Sequence, residues 1–187
     1  MKTPEKLFNL TFWLSIVFLF SSGITTHCQV LEMSAQDLIK QSTAVFYGKC
    51  TGKRCEWNEN KSIIFTYVTI APEGYIKGNL GTAPVIAVPG GQVGSIRYDV
   101  SDMPVFVEGE DLFAFVTTNA SGKNLITGGF QGKMRIMKDQ FTGKRMVEGI
   151  SAMDAAEIQH QTFGQIRKAR RMQLEDFIGK LKGYLKH

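Results

Sequence analysis

From Ala44 to Val147 the chain repeats one pattern: short β-branched and aromatic runs, several alternating apolar with polar residues, separated by turns rich in Gly and Asn. A period of two is the period of a strand, since successive side chains point to opposite faces of a sheet. Runs this short, punctuated this often, read as about seven or eight strands at the spacing of a sandwich or barrel. The expected strands begin with Ala44-Val45-Phe46-Tyr47-Gly48 and Ile63 to Ile70, which Lys77-Gly78-Asn79-Leu80-Gly81 terminates. Pro84 to Val88 and Ser95 to Val100 follow, joined by a glycine-rich connection over Pro89–Gly94. Pro104-Val105-Phe106-Val107 leads to the acidic turn Glu108–Asp111, and Leu112–Val116, apolar throughout, reads as a central strand buried on both faces. Leu125–Thr127, Met134–Met137 and Arg145–Val147 complete the set.

Helical signals flank this region. Ser34-Ala35-Gln36-Asp37 has the form of a capping box, and Leu38 and Ile39 give the short helix after it an apolar edge. Near the other end Leu174, Phe177, Ile178, Leu181, Tyr184 and Leu185 recur at the three-and-four spacing of one helix face. The fold class expected is therefore mainly β, a closed strand core with a short N-terminal helix and a C-terminal amphipathic helix packed across it. The organisation expected is a signal peptide over 1–28, a β-barrel domain over 29–150, a polar linker over 151–172 and the helix over 173–187.

The signal reading rests on order. Lys2 and Lys6 are followed by an apolar run from Leu7 to Phe20, then by Ser21, Ser22 and Gly23. Charged, then apolar, then small is the arrangement of an export signal, and the run is shorter than the ~20 residues that span a bilayer. Cleavage after Gly23 or near Cys28–Gln29 fits equally, and the location expected is secreted or periplasmic. Cys28 follows Thr25-Thr26-His27, so lipidation there is one of two routes to a membrane. The other is the basic C-terminal segment. From His160 onward stand seven basic and two acidic residues, which account for the whole net charge of +5. A solvated helix face or an anionic surface would each use them. Nucleic acid is not an expected partner, because no recognition motif accompanies the charge.

Catalytic constellations are scarce. The three histidines, His27, His160 and His187, all lie outside the strand region, so no catalytic residues, metal ligands or cofactors are expected. Carboxylates do cluster at Asp99, Asp102, Glu108, Glu110 and Asp111, and an extracellular enzyme built on them is one alternative to a binding module; an envelope-associated structural protein held by the basic C-terminal segment is the other. Pro89–Gly94 is followed by a strand rather than a helix, which argues for a tight turn over a phosphate cradle. Cys50 and Cys55 face opposite sides of a straight strand, so a disulfide between them requires a turn or bulge at Gly52; bridged and free thiols both stay open. Asn60-Lys61-Ser62 and Asn119-Ala120-Ser121 match the glycan acceptor pattern, each in an expected turn.

In order, STAVFYGKC, FTYVTIAPEGYIKG, VPGGQVG, MPVFVEGEDLFAFV and GGFQGKMRI resemble a group of small secreted bacterial proteins of poorly defined role. The likeness covers about residues 42–149, with LEDFIGKLKGYL as a closing helix. More distantly the layout is similar to the netrin-like, OB-type barrel of tissue inhibitors of metalloproteinases. The resemblance implies an OB-like barrel and, as a partner class, an extracellular protein such as a protease. Those inhibitors reach the protease zinc with an N-terminal cysteine, a place Cys28 takes only if cleavage falls directly before it. With a strand core and free loops, the function expected is an exported, non-enzymatic binding module. Its candidate contacts are Gln92, Val93, Glu108, Glu110 and Asp111.

Overall fold

A computed structural model describes residues 33–148 and 171–186. The expected signal segment and most of the expected polar linker lie outside these. Ten strands and two α-helices are described. They are α1 (Ala35–Gln41), β1 (Ala44–Trp57), β2 (Ile64–Lys77), β3 (Val85–Pro89), β4 (Gly91–Val93) and β5 (Ile96–Tyr98). After these come β6 (Asp111–Thr118), β7 (Asn124–Ile126), β8 (Lys133–Lys138), β9 (Arg145–Glu148), β10 (Arg171–Gln173) and α2 (Leu174–Tyr184). Five strands close a barrel in the order β1-β2-β3-β7-β6 and back to β1. All its seams are antiparallel except β3–β7, which is parallel through Ile86 and Asn124. The fold is the OB-like barrel, mainly β, with one helix before it and one after.

Closure follows from β1 and β2. Both run for fourteen residues, and β1 pairs with β2 along its length and with β6 along its first half. Register shifts near Val45, Tyr47 and Cys50 bend the β1–β2 pair around the barrel, the usual effect of a bulge. Gly48 lies at one shift, where an added Cβ would meet the Ala71 carbonyl oxygen at 2.2 Å.

Strand β6 explains the apolar run Leu112–Val116. Leu112, Ala114 and Val116 point into the barrel with Phe46, Val68, Ile70 and Ile86. Phe113 and Phe115 point outward, under the two helices. There Phe113 meets Phe177 of α2 edge to face at 4.9 Å. Helix α1 begins as expected: the Asp37 amide donates to Ser34 Oγ at 3.1 Å, and Ser34 Oγ donates to Asp37 Oδ2 at 2.6 Å. Its Leu38 and Ile39 join Leu174, Phe177 and Leu181 of α2 in one buried cluster. The helices thus form a second core on the outside of the β1–β6 seam.

The structure differs from the sequence reading in three places. The connection expected over Pro89–Gly94 contains a strand, Gly91–Val93, hairpinned onto β5. The fourth strand, expected over Ser95–Val100, is only Ile96–Tyr98 and is exposed throughout. Residues Arg171 and Met172, read as the end of the linker, form β10 with Gln173 and pair with β9. In the first two cases a tight local hairpin decided the state, and in the third pairing with β9, far away in the chain, did so.

Candidate functional site

The β4–β5 ribbon leaves the barrel and folds over one of its ends. A groove of about 330 Å³ lies between the ribbon, the end of the barrel and the loop that returns from β5 to β6. Its floor is made of Val88 and Phe106, both members of the barrel core. One wall carries Cys55 and Thr66, with Cys55 Sγ 3.4 Å from Thr66 Oγ1. Thr66 Oγ1 donates to the Gly90 carbonyl at 2.7 Å and so ties β2 to the start of the ribbon. At Gly91, φ is +138°, and a Cβ there would come within 2.6 Å of Thr66 Oγ1 and 2.8 Å of Cys55 Sγ. Only glycine lets the ribbon approach this closely. Tyr98 and Val105, at the rim, are 39% and 78% exposed.

The return loop is strapped to the barrel. Lys53 Nζ donates to the Phe106 carbonyl at 3.3 Å, and Lys133 Nζ donates to the Val105 carbonyl at 2.8 Å. The Glu110 carboxylate accepts from the Val107 amide at 2.9 Å and pairs with Lys133 at 2.7 Å. These bonds hold Phe106 in place as a plug.

The five expected contact residues do not form one site. Gln92 lines the groove, although its side-chain amide donates to the Gly94 carbonyl at 3.0 Å. Val93 is half-buried in β4. Glu108 is exposed and accepts from the Lys53 amide at 3.1 Å. Glu110 is not a surface contact: its side chain is only 6% exposed. Asp111 opens β6 and lies 3.6 Å from Lys49 Nζ. The carboxylates of the alternative enzymatic reading are dispersed too. Asp99 is bound by Arg97 at 2.8 and 2.9 Å, and the Asp102 carbonyl accepts from the Phe130 amide at 2.8 Å. Among the described residues no three of His, Cys, Asp and Glu gather at metal-binding range. Local clustering in sequence was dispersed by the loop's own path, which spends the Glu108 and Glu110 carboxylates on separate straps.

The bridge considered between Cys50 and Cys55 is absent: both are free thiols. The bulge that it required does occur, between Cys50 and Gly52. A single bulge offsets the strand by one residue without doubling it back. Strand rise keeps residues five apart well beyond the ~7 Å limit for a disulfide. Burial, reinforced by the carboxylates of Glu110 and Glu108, pushes the Cys50 thiol up despite the opposing effects of the Gly52 backbone and the Lys133 ammonium.

Both glycan acceptor patterns sit in exposed turns, with Asn119 Oδ1 accepting from the Ser121 and Lys123 amides at 3.0 and 2.9 Å. Of the basic C-terminal residues within the described range, Arg171 pairs with Glu148 across β10 and β9. Among the described residues no helix is long and apolar enough to cross a membrane. Sequence reasoning missed Cys55, Thr66, Tyr98, Val105 and Phe106 as groove residues. Val105 and Phe106 had a local signal, as apolar residues in a stretch otherwise read as a lead-in to a turn.

Compared with protein-family models, with curated proteins and with solved structures, the chain matches none.

Proposed function

We propose that this chain is an exported, non-enzymatic binding module whose contact surface is the groove beneath the β4–β5 ribbon. The observation that carries the reading is the groove's composition: an apolar floor and an exposed apolar rim, with the Asp99 carboxylate on its lining paired to Arg97. Such a site can receive an apolar side chain of a partner protein, and the few polar groups on its wall orient what enters.

A photo-reactive residue in place of the exposed Gln92 of the exported full chain tests this. Irradiation in the extracellular fraction should give a discrete adduct heavier than two copies of the chain. Excess unlabelled chain should compete the adduct away, and excess Val105→Asp chain should not. Absence of such an adduct, or equal competition by both chains, removes the groove as the contact surface.

A narrower form of the same proposal takes a secreted protease as the partner, supported by the resemblance of the sequence layout to that of the netrin-like inhibitors. Secreted metalloproteases assayed with the purified chain should then lose activity in a dose-dependent way. A panel left at full activity eliminates that form and leaves the broader one standing.

A further inference from the structure

We propose that the outer edge of β5 is a self-association surface, on which a second copy of the chain adds its own β5 antiparallel about a two-fold axis at Tyr98. The first support is the hairpin's geometry. Val93 pairs with Ile96 around the two residues Gly94 and Ser95, and Gly94 has φ +60°. The residues flanking a two-residue turn exchange both backbone hydrogen bonds, and bonding then alternates along the strand. Tyr98, paired with Gly91, therefore spends its backbone groups on β4, and Arg97 presents its N–H and C=O to the other side. The Tyr98 carbonyl does face the β4 side, lying 3.3 Å from where a Cβ of Gly90 would stand.

That other side is open. β4 and β5 form a two-stranded sheet by themselves, and no further strand among the described residues pairs with β5. Ile96 and Tyr98 are 54% and 39% exposed. An exposed edge with apolar side chains and no proline, lysine or bulge is a template for another strand.

Charge decides which strand fits. Arg97 and Asp99 lie two residues apart and pair with each other on the surface, 69% and 73% exposed. An axis at Arg97 would set two arginines opposite each other. An axis at Tyr98 sets each Arg97 opposite the other copy's Asp99, so the four charges alternate. It also places Ile96 opposite Val100, and it joins the residues whose backbone groups point outward. Opposite charges directly across a strand pair stabilise it and like charges oppose it, which makes this segment complementary to itself. The paired stretch is short, so the dimer should be of modest strength, on the order of micromolar.

Sedimentation velocity of the full chain over a range of concentrations reads this directly. The wild-type chain should show a monomer–dimer equilibrium. Arg97→Asp alone, or Asp99→Arg alone, should weaken it by about tenfold or more, because each sets like charges face to face. The two single variants mixed should associate with each other, and the double variant Arg97→Asp/Asp99→Arg should recover self-association. These side chains are exposed, and recovery in the mixture reports directly that both variants are folded. A wild-type chain that stays monomeric, or a dimer indifferent to the single reversals, overturns the proposal.

Discussion

Lys133 Nζ stands 2.7 Å from Glu110 Oε1, with the two side chains only 12% and 6% exposed. The same ammonium donates to the Val105 carbonyl and lies 5.0 Å from the centre of the Phe106 ring. One cation thus fixes the start of β6, the return loop and the aromatic plug of the groove. Replacing it with an apolar residue leaves the buried carboxylate with only the more distant, largely exposed Arg135 at 3.9 Å, which costs about 3 kcal/mol. Lys133→Met should lower the denaturant midpoint accordingly and speed amide exchange at Val107 and Gly109. The double variant Glu110→Leu/Lys133→Met should regain part of the loss, since no lone charge remains. A Lys133→Met protein as stable as the parent would show that the pair is not needed to hold the loop.

Two glycines in β1 should behave oppositely. A Cβ at Gly48 would overlap the Ala71 carbonyl oxygen at 2.2 Å and approach Pro72 Cα at 2.8 Å, both backbone atoms of β2. At Gly52 it would meet nothing within 4 Å. Gly48→Ala is expected to destabilise by about 2 kcal/mol or more, because the strands must part to admit it. Gly52→Ala should stay within about 0.5 kcal/mol of the parent. Urea unfolding of both variants separates the cases, and equal midpoints would contradict the close seam at Gly48.

The two thiols should be distinguishable in the native protein. Cys55 lines the groove and is half-buried, whereas Cys50 is fully enclosed. A thiol reagent should modify Cys55 without denaturant and Cys50 only on unfolding. Cys50 also carries a pH signature, because its thiol is held above the ordinary value by burial. The fold keeps that proton where the unfolded chain has released it, so stability is unaffected below the unfolded thiol value and falls as pH rises past it. Between pH about 7 and about 9.5, the wild-type chain should therefore lose more stability than Cys50→Ala. Parallel losses would exclude Cys50 as a source of the pH dependence.

At the β8–β9 turn the Asp139 carboxylate accepts from the Thr142 amide at 2.8 Å, the Thr142 hydroxyl at 2.9 Å and the Phe141 amide at 3.1 Å. These donors, led by the Thr142 amide, hold its carboxyl below the ordinary range. A depressed carboxylate contributes stability above its unfolded value and loses it as pH falls through the folded one. Carbon-detected titration should find Asp139 among the last carboxylates to protonate, and Thr142→Val should raise it. A titration at the ordinary value would mean that the turn bonds are not made in solution.

Much of the fold was legible because it is written in local chemistry. The capping box at Ser34–Asp37, the alternation of Ile64, Thr66, Val68 and Ile70 and the stripe of Leu174, Phe177 and Leu181 each follow from neighbours in the chain. The groove was not legible. Gln92 was placed on it by a glycine-rich loop signal, but Cys55, Thr66, Tyr98 and Phe106 come from four separate elements with no shared sequence pattern. Glu110 misled for the converse reason: an acidic residue in an acidic turn reads as solvated unless its partner, Lys133, is seen beside it.

The sequence by itself determined most of the strands, both helices and their apolar faces, because these depend on residue period and backbone preference. Only the tertiary structure decided that β1 meets β6 to close the barrel and that the β4–β5 ribbon leaves it to cover one end. It alone determined which charges are buried in pairs and which thiols stay apart. Those outcomes hang on contacts between residues far apart in the chain, whose energy is set by shared burial and by desolvated partners that no local pattern encodes.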